Sequence, residues 1–126
     1  MNLNTTYLGL NLRSPLVASA SPLSEKIENI QRLEAAGAGA VVLYSLFEEQ
    51  LRQEQRVLHH YLTATMDSHM EALSYFPEPW EFRTNSQAYL EHIHAAKAAV
   101  NIPIIASLNG ITPGSWAKFA QQIEQA

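Results

Sequence analysis

The stretch from Pro15-Leu16-Val17-Ala18 to Ala40-Val41-Val42-Leu43-Tyr44-Ser45 holds two short apolar runs with a helical pattern between them. The first run stops at Ser19-Ala20-Ser21-Pro22 and the second at Ser45. Apolar runs of this length, bounded by turn residues and without polar alternation, suit strands buried on both faces. Between them Ser24 is predicted to cap a helix, with Ile27, Ile30 and Leu33 on one stripe and Gly37 as its stop. Antiparallel neighbours need no helix between them, whereas parallel neighbours do. Residues 15–45 therefore read as a right-handed strand–helix–strand unit.

The same rhythm returns downstream. Ser86 is placed to cap a helix whose Tyr89, Ile93, Ala96 and Val100 share a face, with Asn101 and Pro103 ending it. A strand, Ile104-Ile105-Ala106, runs into Ser107-Leu108-Asn109-Gly110. Thr112-Pro113 then has the signature of an N-cap followed by proline at the first helical position, and Trp116, Phe119, Ala120 and Ile123 give the next helix its apolar stripe. Upstream, Tyr7-Leu8-Gly9-Leu10-Asn11-Leu12 reads as two short extended segments, with Gly9 and Asn11 able to supply a turn. Residues 46–85 break the pattern. Their first half has Phe47, Leu51, Leu58 and Leu62 at helical spacing; the remainder holds Met66, Met70 and the Tyr75-Phe76-Pro77-Glu78-Pro79-Trp80 segment, suited to a lid or an interface.

Composition narrows the function classes. The chain has 126 residues, 47% of them hydrophobic and 16% charged, with a formal net charge of −4, which is the profile of a globular domain. A mildly acidic chain without a Lys/Arg cluster argues against nucleic acid and anionic membrane as partners. No apolar run is long enough to span a bilayer, and residues 1–6 lack a signal pattern, so a cytoplasmic location is expected. Zero cysteines exclude disulfides and a thiol nucleophile within these residues. One domain over residues 1–126 is expected, too short to close a (β/α)8 barrel by itself.

Consecutive β/α units with unalternating apolar strands imply an α/β fold with a parallel sheet, and such sheets bind ligands at the carboxyl ends of their strands. Those ends carry Ser19 and Ser21, Ser45, and Ser107 and Asn109. Small hydroxyl and amide side chains suit the edge of a planar heteroaromatic ligand or a phosphate; they also serve as ordinary turn and cap residues. The histidines offer no metal site: His92 and His94 stand two apart on a helix, and adjacent His59-His60 cannot chelate from one face. They are expected at the surface, as is Phe47-Glu48-Glu49-Gln50. No Gly-rich dinucleotide loop, Walker loop or serine nucleophile elbow is present, and no catalytic residue is assigned.

In order and spacing, Thr5-Thr6-Tyr7-Leu8-Gly9-Leu10, Ser14-Pro15-Leu16-Val17-Ala18-Ser19-Ala20, Gly39-Ala40-Val41-Val42-Leu43-Tyr44-Ser45 and Ile102-Pro103-Ile104-Ile105-Ala106-Ser107-Leu108-Asn109-Gly110 form one series. That series resembles the N-terminal part of dihydroorotate dehydrogenases. Together with Glu71-Ala72-Leu73-Ser74-Tyr75-Phe76-Pro77-Glu78-Pro79, it is most similar to the bacterial dihydroorotate dehydrogenase-like branch. The resemblance implies the N-terminal part of a TIM (β/α)8 barrel, preceded by a short β-hairpin that closes its base. It also implies FMN as cofactor and oxidation of dihydroorotate to orotate in pyrimidine biosynthesis. By position it assigns Ala18, Ser19, Tyr44, Ser45, Ser107 and Asn109 to cofactor binding. Tyr44 stands where the family has a lysine, and Ser107 where many members have an FMN-contacting asparagine. The implied partners are a small-molecule substrate and a complementary C-terminal chain or a second copy. Two other readings compete: a remnant or interaction module that keeps the fold without flavin, and a phosphate-binding barrel enzyme of another class.

Overall fold

A computed structural model describes residues 2–50, 52–53, 56–57, 59–60, 85–110 and 115–126. Strands β1 (Thr5–Tyr7) and β2 (Leu10–Leu12) form an antiparallel hairpin in which Thr5 faces Leu12 and Tyr7 faces Leu10. Leu8 and Gly9 make the connection, both at positive φ (51° and 77°), as a two-residue type I′ turn requires. Asn11 therefore lies inside β2, opposite Thr6, rather than in the turn.

Strands β3 (Val17–Ala18), β4 (Ala40–Phe47) and β5 (Ile104–Asn109) form a parallel sheet in the order β3-β4-β5. Helix α1 (Ile27–Ala35) joins β3 to β4, helix α2 (Asn85–Ala99) precedes β5, and α3 (Ser115–Gln125) follows it. The described chain is thus an α/β structure with a hairpin and a three-stranded parallel sheet. None of its helices is long and apolar enough to cross a membrane, among the described residues.

One face of the sheet carries the core. Val41, Leu43 and Leu46 of β4 are buried with Ile30 of α1, Tyr89, Ile93 and Ala96 of α2, and Phe119 of α3. Ala18, Ile104, Ala106 and Leu108 pack against this cluster. Side chains alternate across a strand, so Val17, Val42 and Ile105 belong to the other face, where they stay half-buried and outside the cluster. Leu10 of the hairpin lines a cavity with Ile102, Pro103 and Ile104. The shared cavity places β2 toward the start of β5, the end of the sheet opposite the strand tips.

Several expectations change. Ser24 does not cap α1: it sits in a 3-10 turn, Pro22–Glu25, while α1 starts at Ile27 with Lys26 at its N-cap. The Pro22 ring presets the tighter turn, and the Ser24 hydroxyl is taken up by strand β4 instead. Ser86 is the second residue of α2 (Asn85–Ala99) and so lies inside the helix rather than at its cap. Ala120 is exposed, so Phe119 and Ile123 carry the inward side of α3. Glu48 is only 5% exposed and pairs with Arg52 at 2.8 Å, so this part of the acidic stretch turns inward. Thr112-Pro113, the Trp116 side chain, His69, Leu51, Leu58, Leu62, Met66, Met70 and the Tyr75–Trp80 segment lie outside the described residues.

Candidate functional site

The pairing of β4 with β5 contains one irregularity, and it sits at the candidate site. Val42 pairs with Ile105 and Ser45 with Ser107, so three steps on β4 match two on β5. Such a bulge reverses which side chains face which way beyond it. In an unbroken strand Ser45 would follow Val41 and Leu43 into the helical layer. The bulge instead sends Leu46, paired with Leu108, into the core and turns Ser45, paired with Ser107, toward the opposite face. The two hydroxyl oxygens lie 2.8 Å apart, a hydrogen bond. Phe47 and Asn109 pair one step further on, at the tips.

Tyr89 of α2 supports this arrangement from beneath. Its side chain is fully buried, and its hydroxyl lies 3.0 Å from the Tyr44 carbonyl oxygen and 3.3 Å from that of Ser107, either of which accepts its single proton. The same oxygen accepts the Ser107 N–H at 3.0 Å. One phenol thus serves backbone groups of both strands where the ladder is broken. The Tyr44 ring does not stand on the Ser45 side of the sheet. It meets Tyr89 edge-on, with centroids 5.1 Å apart, and tilts against His92 at 5.5 Å.

Ser24 closes the network toward the first loop. Its hydroxyl accepts the Tyr44 N–H at 2.7 Å and donates to the Ser21 carbonyl at 2.9 Å. A carbonyl only accepts, so His92 Nε2 donates to the Ser24 carbonyl at 2.7 Å. His92 is therefore half-buried and bonded rather than free at the surface.

Above these residues lies an open cleft of about 440 Å³, lined by Ala20, Ser21, Pro22 and Glu25 from the first loop, Tyr44 to Phe47 from β4, then Gln50 and Ala88. Its size falls in the range of small-molecule sites, roughly 300–1,000 Å³. Tyr44 and Ser45 line it, whereas Ser107 lies behind Ser45, bonded to its hydroxyl and outside the lining. Ser19 is exposed just after β3 and Asn109 is exposed at the end of β5, whereas Ala18 packs its side chain against the core. Neither lysine nor arginine is among the described residues that line the cleft; Glu25 is the charged one. Burial raises the Tyr44 phenol above its ordinary value of 10.0, and the Glu25 carboxylate adds to the rise. Burial likewise raises Tyr89, opposed by its backbone bond to Ser107 and aided by Tyr44. Both rings therefore act as neutral hydroxyl groups near pH 7.

Sequence reading missed Glu25, Gln50, Ala88 and the role of Tyr89. A tyrosine on the inward stripe of a helix is itself a signal, since a buried phenol needs a polar partner. Among the described residues no three His, Asp or Glu side chains gather to hold a metal ion. The hydroxyl pair, the apolar Val42 and Ile105 on the same face and the cleft beside it suit the edge of a flat heteroaromatic ring; the residues that would hold a phosphate are not among them. No protein-family model, curated protein or solved structure matches the chain.

Proposed function

We propose that the chain supplies the N-terminal β/α units of an FMN-dependent oxidoreductase of the dihydroorotate dehydrogenase type. In this reading the sheet is part of a (β/α)8 barrel. The observation that carries it is the bulge at Val42–Ser45, which aims the Ser45 hydroxyl to meet Ser107 at the carboxyl ends of two parallel strands. That rim is where barrels of this kind bind their ligands. The support is chemical as well as topological: paired hydroxyls donate and accept at the polar edge of a flavin ring, and Val42 and Ile105 offer apolar contact beside them.

Bound FMN supplies the hydride-accepting chemistry. Ser45 and Ser107 would hold the ring edge and fix its orientation, with Ser19 and Asn109 at the neighbouring tips. Tyr44, whose ring lies against Tyr89 and His92 on the helical side, supplies no cation where the resembling family has one. An anionic substrate such as dihydroorotate would then need its cation from outside the described cleft.

Titration of the purified chain with FMN tests the proposal. Saturable quenching of flavin fluorescence, weakened by Ser45→Ala, is expected. Absence of any binding would favour the second reading, a flavin-free module of the same fold. One observation favours that alternative: the Tyr44 ring is committed to Tyr89 and His92 rather than to the face that carries Ser45.

A further inference from the structure

We propose that Tyr89 is a positioning residue for the rim: its hydroxyl holds the β4–β5 bulge and so determines that Ser45 meets Ser107 on the ligand face. The inference rests on the flavin reading for its ligand, but its geometry stands by itself. The oxygen accepts the Ser107 N–H at 3.0 Å and donates its single proton to the Tyr44 carbonyl at 3.0 Å or to the Ser107 carbonyl at 3.3 Å. These backbone groups flank the two serines whose hydroxyls are 2.8 Å apart. The bulge leaves backbone groups of both strands without ladder partners, and a buried polar group without a partner drives local rearrangement. Restoring the regular ladder would shift β4 by one residue and turn Ser45 into the helical layer. Tyr89 removes the incentive for that shift by satisfying both strands in the bulged register. Its ring is fully buried in the core on α2, so the hydroxyl is delivered to the bulge from the helical layer.

The experiment compares wild type, Tyr89→Phe, Ser45→Ala and the double variant, using FMN as the probe and amide hydrogen exchange as the structural readout. Tyr89→Phe is expected to weaken FMN binding about tenfold, the scale of one lost hydrogen bond. Because Tyr89 acts through Ser45, the double variant should bind no worse than the weaker single variant. Losses that multiply in the double variant, or a Tyr89→Phe chain that binds FMN as wild type does, would overturn the proposal.

A wild-type chain that binds no FMN would end the flavin reading alone. Exchange then decides the positioning role. Faster exchange at Ser107 in Tyr89→Phe, with Val41 protection unchanged, upholds it; equal acceleration at both amides overturns it. In the wild-type chain, which needs no substitution to fold, slow exchange of the Ser107 amide upholds Tyr89 as its acceptor and fast exchange overturns it.

Discussion

The Ser14 carbonyl oxygen occupies the space a side chain on Gly39 would need: a β-carbon there would lie 2.1 Å from that oxygen, with the Ser14 carbonyl carbon at 3.0 Å. Gly39 also donates its N–H to the Leu16 carbonyl at 2.7 Å, so the segment before β3 lies directly against the start of β4. Both neighbours are backbone and cannot swing aside. Gly39→Ala should therefore push β3 away from β4 and cost about 1–3 kcal/mol or more, as overpacked cores do. Urea denaturation reads this directly. A midpoint equal to wild type would show that the two segments separate freely.

Leu8 presents the opposite case, a residue whose replacement should help. It holds φ 51° in the hairpin turn and is 69% exposed, so it bears the cost of a left-handed backbone with little burial in return. Leu8→Asn gives the Asn-Gly pair that type I′ turns favour and should raise stability by about 1 kcal/mol. Thermal melting of the variant checks the sign, and a lower melting temperature would contradict the turn assignment.

Arg13 ties the hairpin side of the chain to the end of α1. Its Nε donates to the Ala38 carbonyl at 3.2 Å, and its terminal nitrogen donates to the Glu34 carbonyl. A cation at a helix C-terminus both fills orphan carbonyls and complements the helix dipole. Replacing it with methionine keeps the aliphatic stem and removes the donors. A loss of about 1–2 kcal/mol is expected. Faster amide exchange should appear at Ala38 and Gly37, which follow the helix, before it appears in β5.

Alkaline pH should separate the two buried phenols from the rest of the fold. Burial holds Tyr44 and Tyr89 above 10.0, so the folded chain keeps those protons when the unfolded chain has begun to lose them. Their contribution is whole below pH 10, and it falls as pH climbs through the raised values. Tyr89→Phe should cost about 1–3 kcal/mol at neutral pH by stranding the Ser107 N–H. The same variant should show a shallower decline of stability above pH 10. Denaturation midpoints measured from pH 7 to 11 test both statements, and an unchanged slope would count against a buried Tyr89.

Much of the layout was legible from apolar periodicity. The runs at 15–18, 40–44 and 104–106 became parallel strands, and the inward stripe Tyr89, Ile93, Ala96 and Val100 is buried as spaced. The rim was legible only as a set of small polar residues. Periodicity assumes an unbroken strand, and the bulge at Val42–Ser45 breaks that assumption; nothing in Val42-Leu43-Tyr44-Ser45 announces where the extra residue falls. Ser24 was misread for a related reason. Its hydroxyl serves strand β4, 20 residues away, and a pairing of that range leaves no local trace.

That long-range use of Ser24 has a mechanical outcome. One residue receives the β4 backbone at its hydroxyl and the α2 imidazole at its carbonyl, while its hydroxyl proton secures the turn after β3. It works as a rivet through three plates. Drawing any one of the three away would break its bond to Ser24, so strand, helix and turn on that side of the cleft move as one piece.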